Sequence, residues 1–313
     1  MIRFDKLKII TDINYISNIN DKAFTAQSVG EQLLYYKYNI KKPYSLCIIA
    51  DYQHSELFIE FTGKILKDEY IHLINKTNIR KCFEEINGLG ICTLSIDEIL
   101  QNSKVCKCDI TKDVCCRDLN NIIAYIKQNL CNYRKWIPKE KRNGIVLENA
   151  ADTPRYRKRL TIYNKEHELN LSGNKDFLGL LSDRKALLDY FKGKIRFELN
   201  VNAEAQIRTL LEITNNTLNE VLTSTANPLK TVFNEAVKET GTTPCAKNVS
   251  NYLRYLLLKD CDFNLAIVEA KIRALSSKNT AISRAMQPYR QLLNDLNRSA
   301  YPDVKLQELI SMV

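Results

Sequence analysis

Two short runs with a two-residue period constrain this chain most. Arg159-Leu-Thr-Ile-Tyr-Asn-Lys-Glu-His-Glu-Leu169 sets a lone tyrosine among charges, and Lys194-Ile-Arg-Phe-Glu-Leu199 repeats that character further along. Successive side chains of a strand point to opposite faces. Thr161, Tyr163, Lys165 and His167 therefore share one face of the first run, and Leu160 and Ile162 the other. In the second, Ile195, Phe197 and Leu199 form the apolar face against Lys194, Arg196 and Glu198. One dry and one wet face per strand is the signature of antiparallel sheet. Pairing the two would gather a phenol, a cation and a carboxylate, a set capable of nucleophilic chemistry on a phosphate. The same pattern also fits two amphipathic strands whose polar faces are merely solvated.

The rest of the first two-thirds alternates strand and helix signals. Strands are expected at 4–10, 46–51, 56–62, 91–95, 104–111, 159–164 and 195–200, and helices at 71–86, 96–102, 119–130 and 172–191. From about Ala203 the texture becomes helical throughout, with breaks at Asn227-Pro228, Gly241-Thr-Thr-Pro244 and Lys259-Asp-Cys-Asp262. The expected class is α+β. An antiparallel sheet with helices packed on it would occupy residues 1–200, and an all-helical domain for DNA binding or protein interaction would occupy 201–313. At 313 residues the chain is long enough for two such domains.

The net charge is +10, from 46 Lys and Arg against 36 Asp and Glu, and it belongs mainly to the N-terminal two-thirds. Polyanions are natural partners for such a chain, because each neutralised phosphate releases condensed counterions. Between Arg134 and Arg159 basic residues crowd together, with Tyr133, the sole tryptophan Trp136, and Tyr156 interleaved. Aromatic faces among cations suit unpaired bases. Arg155, Tyr156, Arg157, Lys158, Arg159 and Trp136, with Arg196 from the second strand, are the expected DNA contacts. A solvated basic loop is the competing reading. No run is long enough to span a membrane, and the charged N-terminus does not resemble a signal peptide, so a cytoplasmic protein is expected.

Ten cysteines invite metal or disulfide readings, but no C-x-x-C is present. Alternation would put Cys106 and Cys108 on one strand face, so a zinc site with Cys115 and Cys116 stays open; reduced thiols are the expectation. Three histidines, His54, His72 and His167, include no His-x-His clamp. Lys104-Val-Cys-Lys-Cys-Asp-Ile-Thr-Lys-Asp113 carries Asp109 and Asp113 on one face, about 13 Å apart at the usual strand rise. One of them could serve as a hard oxygen ligand for Mg²⁺ or Mn²⁺, with Glu60 and Glu198 from neighbouring strands as partners. The alternative is that these acids balance nearby lysines. No Walker loop, G-x-G-x-x-G or G-x-S-x-G occurs, so nucleotide hydrolysis and serine chemistry are not indicated.

In chain order, Glu56-Leu-Phe-Ile-Glu-Phe-Thr-Gly-Lys-Ile-Leu66, Cys108-Asp-Ile-Thr-Lys-Asp113, Leu160-Thr-Ile-Tyr-Asn-Lys-Glu-His-Glu168 and Ile195-Arg-Phe-Glu-Leu199 resemble rolling-circle replication initiators. The similarity is to those of small plasmids and to the gene II/X proteins of filamentous phages, and it covers about residues 45–200. It implies a nuclease-like fold and a metal-dependent, site-specific DNA strand transferase. Tyr163 matches the nucleophile that nicks one origin strand, leaving a 5′-phosphotyrosine and a 3′-OH that primes a host polymerase. Asp109 and Glu198 match acidic positions for Mg or Mn, with Asp113 and Glu60 beside them. Lys165 would favour the phenolate and stabilise charge on the phosphate. The chain lacks the histidine pair of the wider endonuclease superfamily, and Tyr156 is the rival nucleophile. Origin DNA, a polymerase, a helicase or a second copy are the implied partners. The competing function is a non-catalytic origin-binding initiator or transcriptional regulator.

Overall fold

The computed structural model describes residues 2–29, 32–115, 119–128, 135–149, 153, 158–237, 248–275 and 281–298. Among these, residues 2–119 and 135–237 form one compact unit, and 120–128 with 248–298 a second. The protein is α+β, with a large antiparallel sheet in the first unit.

The strands are β1 (Phe4–Asp12), β2 (Ile16–Ser17), β3 (Thr25–Val29), β4 (Gln32–Ile40), β5 (Leu46–Asp51) and β6 (Glu56–Thr62), followed by β7 (Thr93–Leu94) and β8 (Lys104–Cys115). The last four are β9 (Trp136–Lys141), β10 (Gly144–Asn149), β11 (Arg159–Asn164) and β12 (Lys194–Val201). β2 and β7 pair by themselves. The other ten form one sheet in the order β3-β4-β5-β6-β1-β8-β12-β11-β10-β9. Every adjacent pair in it is antiparallel. Each flank is a meander of consecutive strands, and β1 and β8 sit at the centre.

One face of the sheet is dry. Leu46, Ile48 and Ala50 of β5 and Leu57, Ile59 and Phe61 of β6 are fully buried, as are Ile195, Phe197 and Leu199 of β12. Helices α1 (Ile79–Asn87) and α2 (Ile96–Asn102) lie between β6 and β8, and α3 (Leu119–Gln128) belongs to the second unit. α4 (Lys165–Leu169), α5 (Lys175–Leu178) and α6 (Arg184–Phe191) join β11 to β12. α7 (Glu204–Leu211), α8 (Leu218–Thr223) and α9 (Pro228–Ala236) follow. α1 and α9 help cover the dry face: Phe83 meets Phe61 edge-on at 5.6 Å, and Phe233 meets Phe197 at 6.2 Å. α9 is well started, with Pro228 in its first turn and Asn227 accepting from the Lys230 amide.

The opposite face is polar, and helices cover part of it. The 3-10 segment Gly63–His72 packs with α4, α5 and α6 through Tyr70, Leu73, Leu169, Phe177, Leu178, Leu187 and Phe191. This layer corrects the expected helices at 71–86 and 172–191. The first is interrupted where Asn75 and Asn78 bond the backbone of residues 72–77, and α1 starts only at Ile79. The second breaks after α5 and restarts at Asp183, whose carboxylate caps α6.

The first unit runs past the change of texture at 200, since α7 contacts β8 and α9 contacts β12. The described residues of the second unit beyond α3 form α10 (Val249–Asp260), α11 (Leu265–Leu275) and α12 (Ile282–Arg298), around Leu258, Cys261, Val268, Met286 and Leu292. No helix of the described residues is long and apolar enough to cross a membrane.

Candidate active site on the polar face of the sheet

β11 and β12 pair as their alternation predicts, with Tyr163 opposite Arg196 and Thr161 opposite Glu198. Tyr163 is half-buried and donates its hydroxyl to Glu198 Oε2 at 3.2 Å, the diagonal contact that such a pair permits. Burial first, then the Glu198 carboxylate, pushes the phenol well above its ordinary value. Glu198 itself is pushed up to about 7, mainly by burial and then by the charges of Asp5 and Asp109, against the pull of Arg196 and Lys165. A carboxyl that changes charge near neutrality, bonded to a phenol, is suited to moving the phenolic proton.

Arg196 is fully buried. Its Nε and one terminal nitrogen grip Asp113 at 2.7 and 2.8 Å, a fork on a carboxylate. The other terminal nitrogen donates to Asp5 at 2.9 Å and to the Tyr70 hydroxyl at 2.7 Å. Tyr70 in turn donates to Asp5 at 2.8 Å. Burial alone would raise the Asp5 carboxyl, but the Arg196 and Lys165 charges outweigh it and hold the group down. The guanidinium stacks over the rings of Tyr70 and Phe191, 5.4 and 5.5 Å from their centroids.

Lys165 departs from its expected place on the strand. β11 stops at Asn164, whose side chain accepts from the His167 amide and starts α4. His167 is consequently exposed and off the sheet. The lysine is 1 % exposed and donates to Glu168 at 2.6 Å. Its ammonium lies 5.3 Å from the Tyr70 ring centroid and 5.7 Å from that of Tyr163. Burial and the neighbouring Arg196 charge lower its pKa, against the pull of Glu168 and Asp5. Glu168 also faces Lys64 at 3.7 Å and accepts from Asn174. A compact ionic network thus lies beneath α4–α6 and beside Tyr163.

The four carboxylates expected to hold a metal separate into two kinds. Asp109 stands opposite Asn200, from which it accepts, and diagonal to Glu198 on the next strand. Burial raises its pKa, with Asn200 opposing. These two, both lifted by burial and by the Asp5 charge, fit a hard divalent ion. Asp113 does not, because both of its oxygens are held by Arg196. Glu60 does not either: Lys6 binds it and Lys107 lies 3.7 Å away. It is also three strands from β12, about 14 Å at the usual spacing. Among the described residues no group of three His, Cys, Asp or Glu side chains is arranged to hold a metal ion. The zinc reading is corrected by a bulge in β8 that sends Cys106 and Cys108 to opposite faces: Cys108 is buried, and the half-buried Cys106 donates to the Lys8 carbonyl.

The expected DNA contacts are also redistributed. Trp136 is fully buried, so no base can stack on it. Arg196 is spent inside the network, and no phosphate reaches it. Lys158 turns to Glu235 of α9 at 3.4 Å. Arg159 alone of the described set is exposed. Arg155, Tyr156 and Arg157, and with them the rival nucleophile, lie outside the described residues.

Asp5, Tyr70, Lys64 and Glu168 were not among the expected site residues. A break in the β1 register between Phe4 and Lys6 frees Asp5 from simple alternation, and Tyr70 reads as an apolar residue of an ordinary helix. Comparison of the chain with known protein families, with curated proteins and with solved structures finds no match.

Proposed function

We propose that this protein is a DNA strand transferase that initiates rolling-circle replication, with Tyr163 as nucleophile and a nuclease-like catalytic unit built on the sheet. The observation that carries the reading is the hydrogen bond from Tyr163 to Glu198. A phenol raised well above its usual pKa attacks nothing without a base, and Glu198 is the base in contact with it. The order of the runs around 56–66, 108–113, 160–168 and 195–199, resembling that family, supports the same assignment.

In this mechanism Glu198 accepts the phenolic proton as the Tyr163 oxygen bonds to phosphorus. The bond from phosphorus to the 3′ oxygen breaks, and that oxygen leaves as a 3′-OH once it gains a proton. The 5′ phosphate remains on Tyr163. Arg196 and Lys165, close but buried, supply fixed positive potential without touching the strand. Asp109 and Glu198 are the residues that would hold Mg²⁺ or Mn²⁺, whose chemistry when bound is to polarise the scissile phosphate. Such a protein works in the cytoplasm beside a polymerase and a helicase, and the helical second unit would read origin duplex or bind a partner.

The competing reading is a non-catalytic origin-binding initiator or regulator. The burial of Arg196 and Lys165, both fully used by Asp113, Asp5 and Glu168, favours it, because a structural ion network needs no substrate.

The deciding experiment incubates labelled supercoiled DNA carrying the gene's own flanking region with Mg²⁺ or Mn²⁺. A nick with label covalently on the wild-type protein, absent in Tyr163→Phe and in EDTA, is the expected result. Nicking that survives Tyr163→Phe but not Tyr156→Phe moves the nucleophile. Binding with no nick and no adduct leaves the non-catalytic initiator.

A further inference from the structure

The polar face is not covered evenly. Toward β4 the α4–α6 layer is met at the β4–β5 connection, where Asp176 of α5 pairs with Lys42 at 3.2 Å, and the side chains of this part of the face are of mixed character. Cross-strand pairing sets Lys37 of β4 beside Ile49 of β5, Ile49 beside Phe58 of β6, and Phe58 beside Ile10 of β1. The next row brings Glu60 beside Lys8, and Lys8 beside Lys107. On β5 and β6 the contrast between faces is sharp: Leu57 and Ile59 are fully buried, whereas Ile49 and Phe58 keep solvent exposure. An apolar pair left on a wet face invites an occupant.

The charges name that occupant. Glu60 is the acid of these rows, and it is taken by Lys6 with Lys107 nearby. Lys8 and Lys37 have no carboxylate within ion-pair distance among the described residues, and Lys8 sits over the Phe58 ring at 5.2 Å. A half-buried ring beside ammonium groups that have no ion-pair partner among the described residues matches a base with its phosphates on either side. Lys6 stands opposite Asp109 in the β1–β8 ladder, so the same face leads toward the carboxylates beside Tyr163.

We propose that the face of β4, β5, β6 and β1 seats single-stranded DNA, stacking a base on Phe58 and Ile49 and binding phosphates with Lys8 and Lys37. Crossing from β6 to β11 is four strand spacings, about 19 Å, so a strand lying on this platform reaches Tyr163 along one face. The inference deepens the strand-transferase reading by naming where the strand rests, and it rests on that reading for its DNA.

The test titrates the full chain into a short fluorescein-labelled oligothymidylate at several salt concentrations. Phe58→Leu keeps an apolar side chain but removes the ring, and is expected to weaken binding about tenfold, while Phe58→Trp keeps wild-type affinity. Lys8→Ala with Lys37→Ala is expected to lower the slope of log affinity against log salt by about 1.4, roughly 0.7 for each lost contact. Thermal melts alongside establish that the variants fold. Wild-type affinity in both sets overturns the platform, and so does an equal loss on duplex of the same length, because stacking needs unpaired bases. Tyr163→Phe separates the two proposals. If it abolishes the covalent adduct while the platform variants bind normally, only the platform fails; if the platform variants weaken binding and no adduct ever forms, only the transferase fails.

Discussion

The Tyr163 hydroxyl and Glu198 Oε2 stand 3.2 Å apart across the β11–β12 pair, and burial with the Asp5 and Asp109 charges pushes that carboxyl up to about 7. In register Tyr163 faces Arg196 and Glu198 faces Thr161, so their contact is diagonal and depends on both strands holding their twist.

That poise makes a pH prediction whose sign is fixed. Folding raises Glu198 from an ordinary carboxyl value to about 7, so the native state binds the proton more tightly than the unfolded chain. Its contribution to stability is fully present at low pH and is lost as pH climbs through about 7, by at most roughly 3 kcal/mol at 1.36 kcal/mol per unit. Glu198→Gln should flatten this part of the stability profile.

Arg196 carries a second prediction. Removing it as Arg196→Met strips Asp113 of its guanidinium and Asp5 of its nearest cation, which should cost about 3–5 kcal/mol in urea unfolding. Adding Asp113→Asn should recover part of that loss, since one stranded charge disappears. A phosphate contact would behave differently: it would change the salt dependence of DNA affinity and leave stability alone.

The strands that alternate cleanly were legible. Leu46, Ile48 and Ala50 mark β5, Leu57, Ile59 and Phe61 mark β6, and Leu160 and Ile162 mark β11, because each puts a dry face on a core. β4 was not legible, since Tyr35-Tyr36-Lys37-Tyr38 sets aromatics on both faces and erases the period. β9 and β10 read as a basic loop because β9 is the sheet edge, where Lys139, Glu140 and Lys141 are exposed. The burial of Arg196, Lys165 and Asp113 was equally hidden. The layer that covers them is built from helices as short as Lys175–Leu178, too brief to show a helical period. Tyr163 and Glu198 came together as expected because their meeting needs only two strands in register.

Trp136 offers a direct spectroscopic check. It is the sole tryptophan, fully buried at the start of β9, with an indole N–H that has no hydrogen-bond partner among the described residues. Its emission should be blue-shifted in the native protein and move red only on unfolding. Saturating single-stranded DNA should leave that emission unquenched, because no base reaches the ring. Trp136→Ala should cost about 3–5 kcal/mol, as large buried aromatics do. Strong quenching by DNA would return the tryptophan to the interface.

Metal affinity should separate the acids. Manganese titration followed by electron paramagnetic resonance should show binding weakened in Asp109→Asn and Glu198→Gln. Glu60→Gln should bind as wild type, because that carboxylate is already held by Lys6 with Lys107 nearby. Loss of binding in Glu60→Gln alone would put the ion on the β6 side of the sheet.

Gly144 tests whether the placement of Tyr163 matters as much as its chemistry. The glycine stands opposite Tyr163 in the β10–β11 pair. A Cβ there would lie 2.2 Å from the Ile162 carbonyl oxygen and 2.8 Å from the Tyr163 Cα. Both are backbone atoms of the neighbouring strand, so no side chain can turn away to make room. Gly144→Ala must push β11 aside, at a cost of about 1–3 kcal/mol for overpacking. The shift falls on the residue whose hydroxyl has to meet Glu198. Adduct yield should therefore drop more steeply than the melting temperature, and low temperature, which restores the fold, should not restore the yield. Gly173→Ala is the control, since a Cβ there meets nothing within 4 Å and should alter neither measurement. Equal melting temperatures for Gly144→Ala and wild type would mean that β10 and β11 are not pressed together at Tyr163.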